Sequence, residues 1–157
     1  MKSIIATRYG GPEVLQTVDA PAPVPGTGQL LVRVAATSVN PLDWHELRGK
    51  PYLVRIMRGL RAPKPSGHAM GSDAAGVVEA IGEGVTRFAV GDEVFGFGKA
   101  AWSELMVVSE GGVVGKPPTL SMTDAGGVGV AAITALQGLR RGGLTGPPST
   151  LCVLGAD

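Results

Sequence analysis

The sequence predicts a mainly β body with a few helices, followed by the beginning of an α/β unit. Three observations carry that expectation. Glycine and proline are abundant, 25 and 12 of 157 residues, which marks many tight turns between short strands. The apolar runs in the first three quarters of the chain are short and β-branched, as in strands. From Ser121 the character changes to one long run rich in small residues, which leads to residues 150–154 (TLCVL) and the glycine-led turn Gly155-Ala156-Asp157.

Taken in order, residues 2–9 form a first strand closed by Gly10-Gly11-Pro12, and residues 14–18 continue extended. Residues 21–26 (PAPVPG) cannot pair regularly and make a connector. Residues 29–36 (QLLVRVAA) give the clearest strand. A helix start follows: Asn40 can cap, Pro41 suits the first helical position, and Asp43 favours the positive end of the helix dipole. That helix ends by Gly49. Residues 48–64 hold six basic side chains (Arg48, Lys50, Arg55, Arg58, Arg61, Lys64) and no acid, with Leu53, Met57 and Leu60 at helical spacing. A short amphipathic helix is expected there. One reading makes it a membrane-surface or anion-binding element, and the plainer one lets basic stems cover apolar surface. Residues 71–81 run into a strand, Gly91-Asp92 turns, residues 93–97 and 101–108 are strands, and Pro117-Pro118 breaks the pattern. Residues 121–124 read as a helix cap and 125–141 as the helix itself. The β body is thus residues 1–124 and the α/β start residues 125–157.

Composition narrows the function classes. With 44% hydrophobic and 17% charged residues the chain is globular. A net charge of +1 argues against a nucleic-acid partner. No apolar stretch has the length of a membrane span, and the first ten residues lack a signal-peptide pattern. The one cysteine, Cys152, excludes an internal disulfide and fits a cytoplasmic location. No Gly-x-Ser-x-Gly elbow supports a hydrolase.

Four ordered segments carry a family resemblance: Val39-Asn40-Pro41-Leu42-Asp43-Trp44, the stretch from Gly71 to Gly82 (GSDAAGVVEAIG), Gly91-Asp92-Glu93-Val94-Phe95-Gly96, and Ile133-Thr134-Ala135-Leu136-Gln137-Gly138-Leu139. Together they resemble the medium-chain dehydrogenase/reductase superfamily, in its zinc-independent quinone oxidoreductase-like branch. The resemblance implies a GroES-like β-barrel followed by the linking helix and first strand of a Rossmann domain, so that the chain corresponds to the front of a longer enzyme. It implies NADPH or NADH as cofactor, a quinone, enone or other carbonyl compound as substrate, and a homo-oligomeric parent. Asn40 and Thr134 are implied cofactor contacts, with Gly155 and Ala156 opening the phosphate-binding turn. Asp157 departs from the small neutral residue usual there, and its charge would repel a pyrophosphate. Trp44 and Tyr52 are implied substrate contacts, and Tyr52 a proton or hydrogen-bond donor to the acceptor oxygen. Each has a plainer role: Asn40 as a cap, Trp44 and Tyr52 as aromatic covers, and Thr134 back-bonding in its own helix.

Zinc-dependent members of the superfamily place Cys, His or Glu, and Cys at positions that correspond to Asn40, Ser72-Asp73 and about Val130. None of these offers that ligand set, so no metal is expected, and His45 and His68 are expected to be surface or hydrogen-bonding residues. A second class of function stays open: a free-standing GroES-like binding or regulatory domain, or an inert fragment. A reading frame continuing past Asp157 with a Gly-x-x-Gly pattern would separate the two.

Overall fold

The computed structural model describes residues 1–64 and 68–143. The expected strand 150–154, Cys152, Gly155 and Ala156 lie outside the described residues. The body is built on two antiparallel sheets. Strands β1 (Lys2–Ala6) and β2 (Leu15–Asp19) form a small ribbon. The larger sheet has the order β6-β3-β4-β5-β7, from β3 (Gln29–Thr37), β4 (Asp73–Ile81), β5 (Glu93–Phe97), β6 (Leu105–Ser109) and β7 (Val113–Gly115). Bridges from Ser3 to Ser103 and from Ile5 to Ala69 join the ribbon to the rest.

The strand residues explain the core. Leu30, Val32, Ala74, Val78, Val94, Met106, Val108 and Val113 bury together with Ala101. Each fully buried larger aliphatic contributes roughly 1.5–3 kcal/mol. A second cluster of Ala6, Val14, Leu47 and Met70 sits beneath the ribbon, with Leu15 and Trp102 packed on it. The expected strand at 101–108 begins only at Leu105, because residues 101–104 instead bond backbone to Lys2, Ile4, Met70 and Gly71. The short β7 had no alternating pattern long enough to announce it.

Among the described residues three α-helices decorate this frame: α1 (Pro41–Arg48), α2 (Leu53–Arg58) and α3 (Met122–Arg141). Helix α3 starts three residues before the expected Ala125. Ser121 caps it, its Oγ accepting from the Asp124 N–H at 3.1 Å. The boundary drawn at residue 124 thus falls within the first turn of α3. Its first half rests on β3, β4 and β5, with Ala125, Gly126 and Gly129 buried. Residues 131–138 are exposed. The close approach depends on glycine: a Cβ at Gly126 would lie 2.8 Å from the Ala36 carbonyl carbon.

Candidate active-site cleft

The site grows from the end of β3. Thr37 Oγ1 donates to the Asp73 carbonyl oxygen at 2.6 Å, and the Trp102 indole N–H donates to the Ser38 carbonyl oxygen at 2.9 Å. These two bonds fix the chain that enters α1. There Asn40 is the cap: the Leu42 N–H donates to its Oδ1 at 3.1 Å, and its own N–H donates to Asp43 Oδ2 at 2.9 Å. Two otherwise unpaired donors are thereby satisfied. At the other end Gly49 adopts the left-handed conformation (φ 59°, ψ 40°) and stops the helix. The sequence reading of α1 holds at both ends.

Two carboxylates here are buried, Asp43 of the helix itself and Asp73 at the start of β4, with 0% and 1% of their surface exposed. Buried carboxylates require hydrogen-bond donors, and both have them. Asp43 Oδ1 accepts from Ser72 Oγ at 2.8 Å. Asp73 Oδ2 accepts from Ser38 Oγ at 3.2 Å and from Asn40 Nδ2 at 3.4 Å, while Oδ1 accepts from the Val130 N–H of α3 at 2.9 Å. Burial pushes the Asp73 carboxyl above its ordinary value; the donors from Val130 and Ser38 offset part of this, and the charge of Asp43 adds to the rise.

The other expected site residues are spread out. Trp44 follows Asn40 on α1, 42% exposed, stacked on His45 with centroids 4.0 Å apart and with the Arg48 guanidinium 5.4 Å from its ring centroid. Tyr52 stands just before α2, 69% exposed, with the Arg55 guanidinium 5.2 Å from its ring centroid. Thr134 is exposed on α3, four residues beyond Val130, and its hydroxyl makes no hydrogen bond among the described residues. The His45 ring bonds to the Lys50 carbonyl oxygen at 2.7 Å and the His68 ring to that of Pro63 at 3.1 Å.

A small cleft of about 80 Å³ is lined in part by Leu42, Glu46, Arg58, Ser72, Phe97 and Lys99. A cavity of about 690 Å³ lies between the ribbon and the end of β3, against Ile4, Leu15, Val34, Val39 and Trp102. It is mainly apolar and offers few polar groups for chemistry, so the polar groups around Asn40 define the candidate site.

Residues 26–118 match the family described as the alcohol dehydrogenase GroES-like domain. The chain belongs to that family. Within it, the chain falls in the medium-chain dehydrogenase/reductase superfamily, quinone oxidoreductase-like branch. It is similar to the quinone oxidoreductase of Pseudomonas aeruginosa, 39% identical over 129 residues, which is 81% of this chain and 37% of that protein. It is also similar to the chloroplastic quinone-oxidoreductase QR1 of Triphysaria versicolor, 33% identical over 82% of this chain and 38% of that protein. Among solved structures, the Escherichia coli quinone oxidoreductase complexed with NADPH superposes with a TM-score of 0.78 at 26% identity, covering 90% of this chain and 41% of that one. The chain thus spans less than half the length of each of these relatives.

Asn40, Asp73 and the Val130 backbone converge as a hydrogen-bonded knot. Among the described residues no three His, Cys, Asp or Glu side chains are placed to hold a metal ion. Sequence reading undervalued Asp73, Asp43, Ser38 and Trp102. One signal was available: a carboxylate within the small, apolar run GSDAAGVV is buried and must therefore be bonded.

Proposed function

We propose that the chain is the substrate-side portion of an NAD(P)H-dependent, zinc-independent oxidoreductase that passes hydride to a quinone, enone or other carbonyl compound. The observation that carries this reading is the Asn40–Asp73–Val130 knot, with polar groups already committed to one another where related enzymes would hold zinc. A carboxylate accepting three donors, an amide and a backbone N–H make a poor zinc site. The likeness to quinone oxidoreductases supports the substrate class, and the NADPH complex of the Escherichia coli relative supports the cofactor.

The residues present fit the nicotinamide end of such a cofactor. Asn40 and Thr134 are uncharged and able to donate and accept. The cofactor, when bound, supplies the hydride. Asn40 and Thr134 hold and orient its nicotinamide end. Trp44 and Tyr52 receive the acceptor, and the Tyr52 hydroxyl donates to the oxygen on which negative charge develops. Gly155 and Ala156, in the turn expected to approach the phosphates, complete the proposed cofactor contacts. The same proposal takes the working protein to be a cytoplasmic homo-oligomer.

The test is titration calorimetry of NADPH with the 157-residue chain, beside quinone-dependent NADPH oxidation by the chain joined to a complete nucleotide-binding domain. The nicotinamide wall alone is expected to bind at about millimolar or weaker, and the joined protein to turn over. Absence of turnover in the joined protein across quinones and enones would favour the binding-domain reading.

A further inference from the structure

We propose that Asp73 is a positioning residue: its carboxylate fixes which edge of the Asn40 amide faces outward and ties that amide to helix α3. The inference rests on the reading of Asn40 and Thr134 as cofactor contacts, but its geometry stands on this chain alone.

A side-chain amide can be flipped at little cost unless its neighbours forbid it. Here they do. The Leu42 N–H can only donate, so the amide oxygen must face it. An ionised Asp73 can only accept, so the amide nitrogen must face Oδ2. A flip breaks both bonds at once. Asn40 is left with one N–H and one oxygen lone pair in a defined direction, which is what a ligand amide or carbonyl requires. The 3.4 Å bond from Asn40 is long, so the carboxylate must itself be held. Ser38 holds Oδ2 from one side and the Val130 N–H holds Oδ1 from the other.

That second oxygen gives Asp73 its reach. Val130 lies in α3, and Thr134 follows on the same face, about 6 Å further along the axis. One carboxylate therefore sets the spacing between the two proposed cofactor contacts, which come from different elements. The helix can approach only because position 129 is glycine: a Cβ there would lie 2.6 Å from Asp73 Oδ1.

Asp73→Asn tests this. The new amide can keep the Val130 N–H on its oxygen but then presents NH2 to the NH2 of Asn40. By NMR on the 157-residue chain, the Asn40 side-chain amide resonances should shift while Val130 amide exchange stays within about threefold. Gly129→Ala should do the reverse, speeding Val130 exchange by about tenfold or more. If Asp73→Asn does not fold, Ser38→Ala replaces it, since it frees the same oxygen and should also move the Asn40 resonances. In the holoenzyme, Asp73→Asn should lower kcat about five- to tenfold, with the KM for NADPH changing less. Added to Asn40→Ala, it should cost less than about twofold more, because both changes disable one contact. Unmoved Asn40 resonances in both Asp73→Asn and Ser38→Ala, or fully multiplicative losses in kcat, would overturn the proposal. A holoenzyme with no NADPH-dependent activity would instead remove the functional reading and leave the NMR result to judge the tie.

Discussion

Helices α1 and α2 both lie in the connection from β3 to β4, yet they are held in opposite ways. Helix α1 is capped at both ends and buries Asp43 and Leu47. Helix α2 has no side-chain cap and none of its residues is fully buried. Leu53, Ile56, Met57 and Leu60 are 65–77% exposed there. Arginines hold α2 instead. Arg58 pairs with Glu46, while Arg55 donates to the Gly49 carbonyl oxygen at 3.1 Å and lies over the Tyr9 and Tyr52 rings. Burial pushes the Arg58 guanidinium below its ordinary value. A side chain on α1 inherits its position from buried carboxylates, whereas one beside α2 depends on long cationic side chains. Asn40 is therefore the better-placed of the two candidate contacts, and Tyr52 the more adjustable.

The largest expected effect lies where α3 presses on the sheet beneath α1. Gly126→Val places new atoms against the backbone of Ala36, which cannot move without distorting β3. It should lower stability by about 1–3 kcal/mol. The matched change on the α2 face, Met57→Ser, should stay within about 0.5 kcal/mol. Urea unfolding of both variants checks this. Comparable losses would mean that α2 is as firmly packed as the first half of α3.

Next comes the comparison of the two contacts. Asn40→Ala removes a cap and should cost about 1 kcal/mol in the same unfolding assay. Tyr52→Phe should cost under about 0.5 kcal/mol, since its hydroxyl is exposed and makes no hydrogen bond among the described residues. In the joined protein both should reduce turnover by more than these stability changes imply. If Tyr52→Phe leaves turnover intact, the proton-donor role falls and Asn40 carries the site alone.

The same contrast explains what was legible in the sequence. Residues Asn40-Pro41 and Gly49 announced α1, because caps are local: the residue types and their spacing contain the physics. Residues 93–97 were legible as a strand for the same reason. The Asp73 knot was not, because it joins β3, α1, β4 and α3, and its key donor is a backbone N–H that no side-chain pattern reveals. The packing of α3 was also missed. An apolar helix made of small residues reads as awaiting another sheet, but Gly126 and Gly129 let its first half seat on this one. Residues 131–138, beyond that seat, are exposed.

The smallest expected effect separates buried from exposed carboxylates by the sign of their pH dependence. Asp73 has its pKa raised above 3.8 by burial. Between that ordinary value and its folded value, the native state binds more protons than the unfolded chain. Stability contributed through this group therefore falls as pH rises across that window. Glu110 behaves oppositely. Its carboxylate accepts from the Arg87 and Thr86 N–H groups, which hold its pKa below 4.5. Its contribution is present above the ordinary value and is lost as pH falls through the folded one. Unfolding free energies measured at several pH values for the wild type, Asp73→Asn and Glu110→Gln isolate the two terms by difference. As pH rises, the wild type should lose ground to Asp73→Asn in the window above 3.8 and gain ground on Glu110→Gln in the window below 4.5. A parallel trend for both would mean that the donors from Val130 and Ser38 outweigh burial, leaving Asp73 an ordinary stabilised anion.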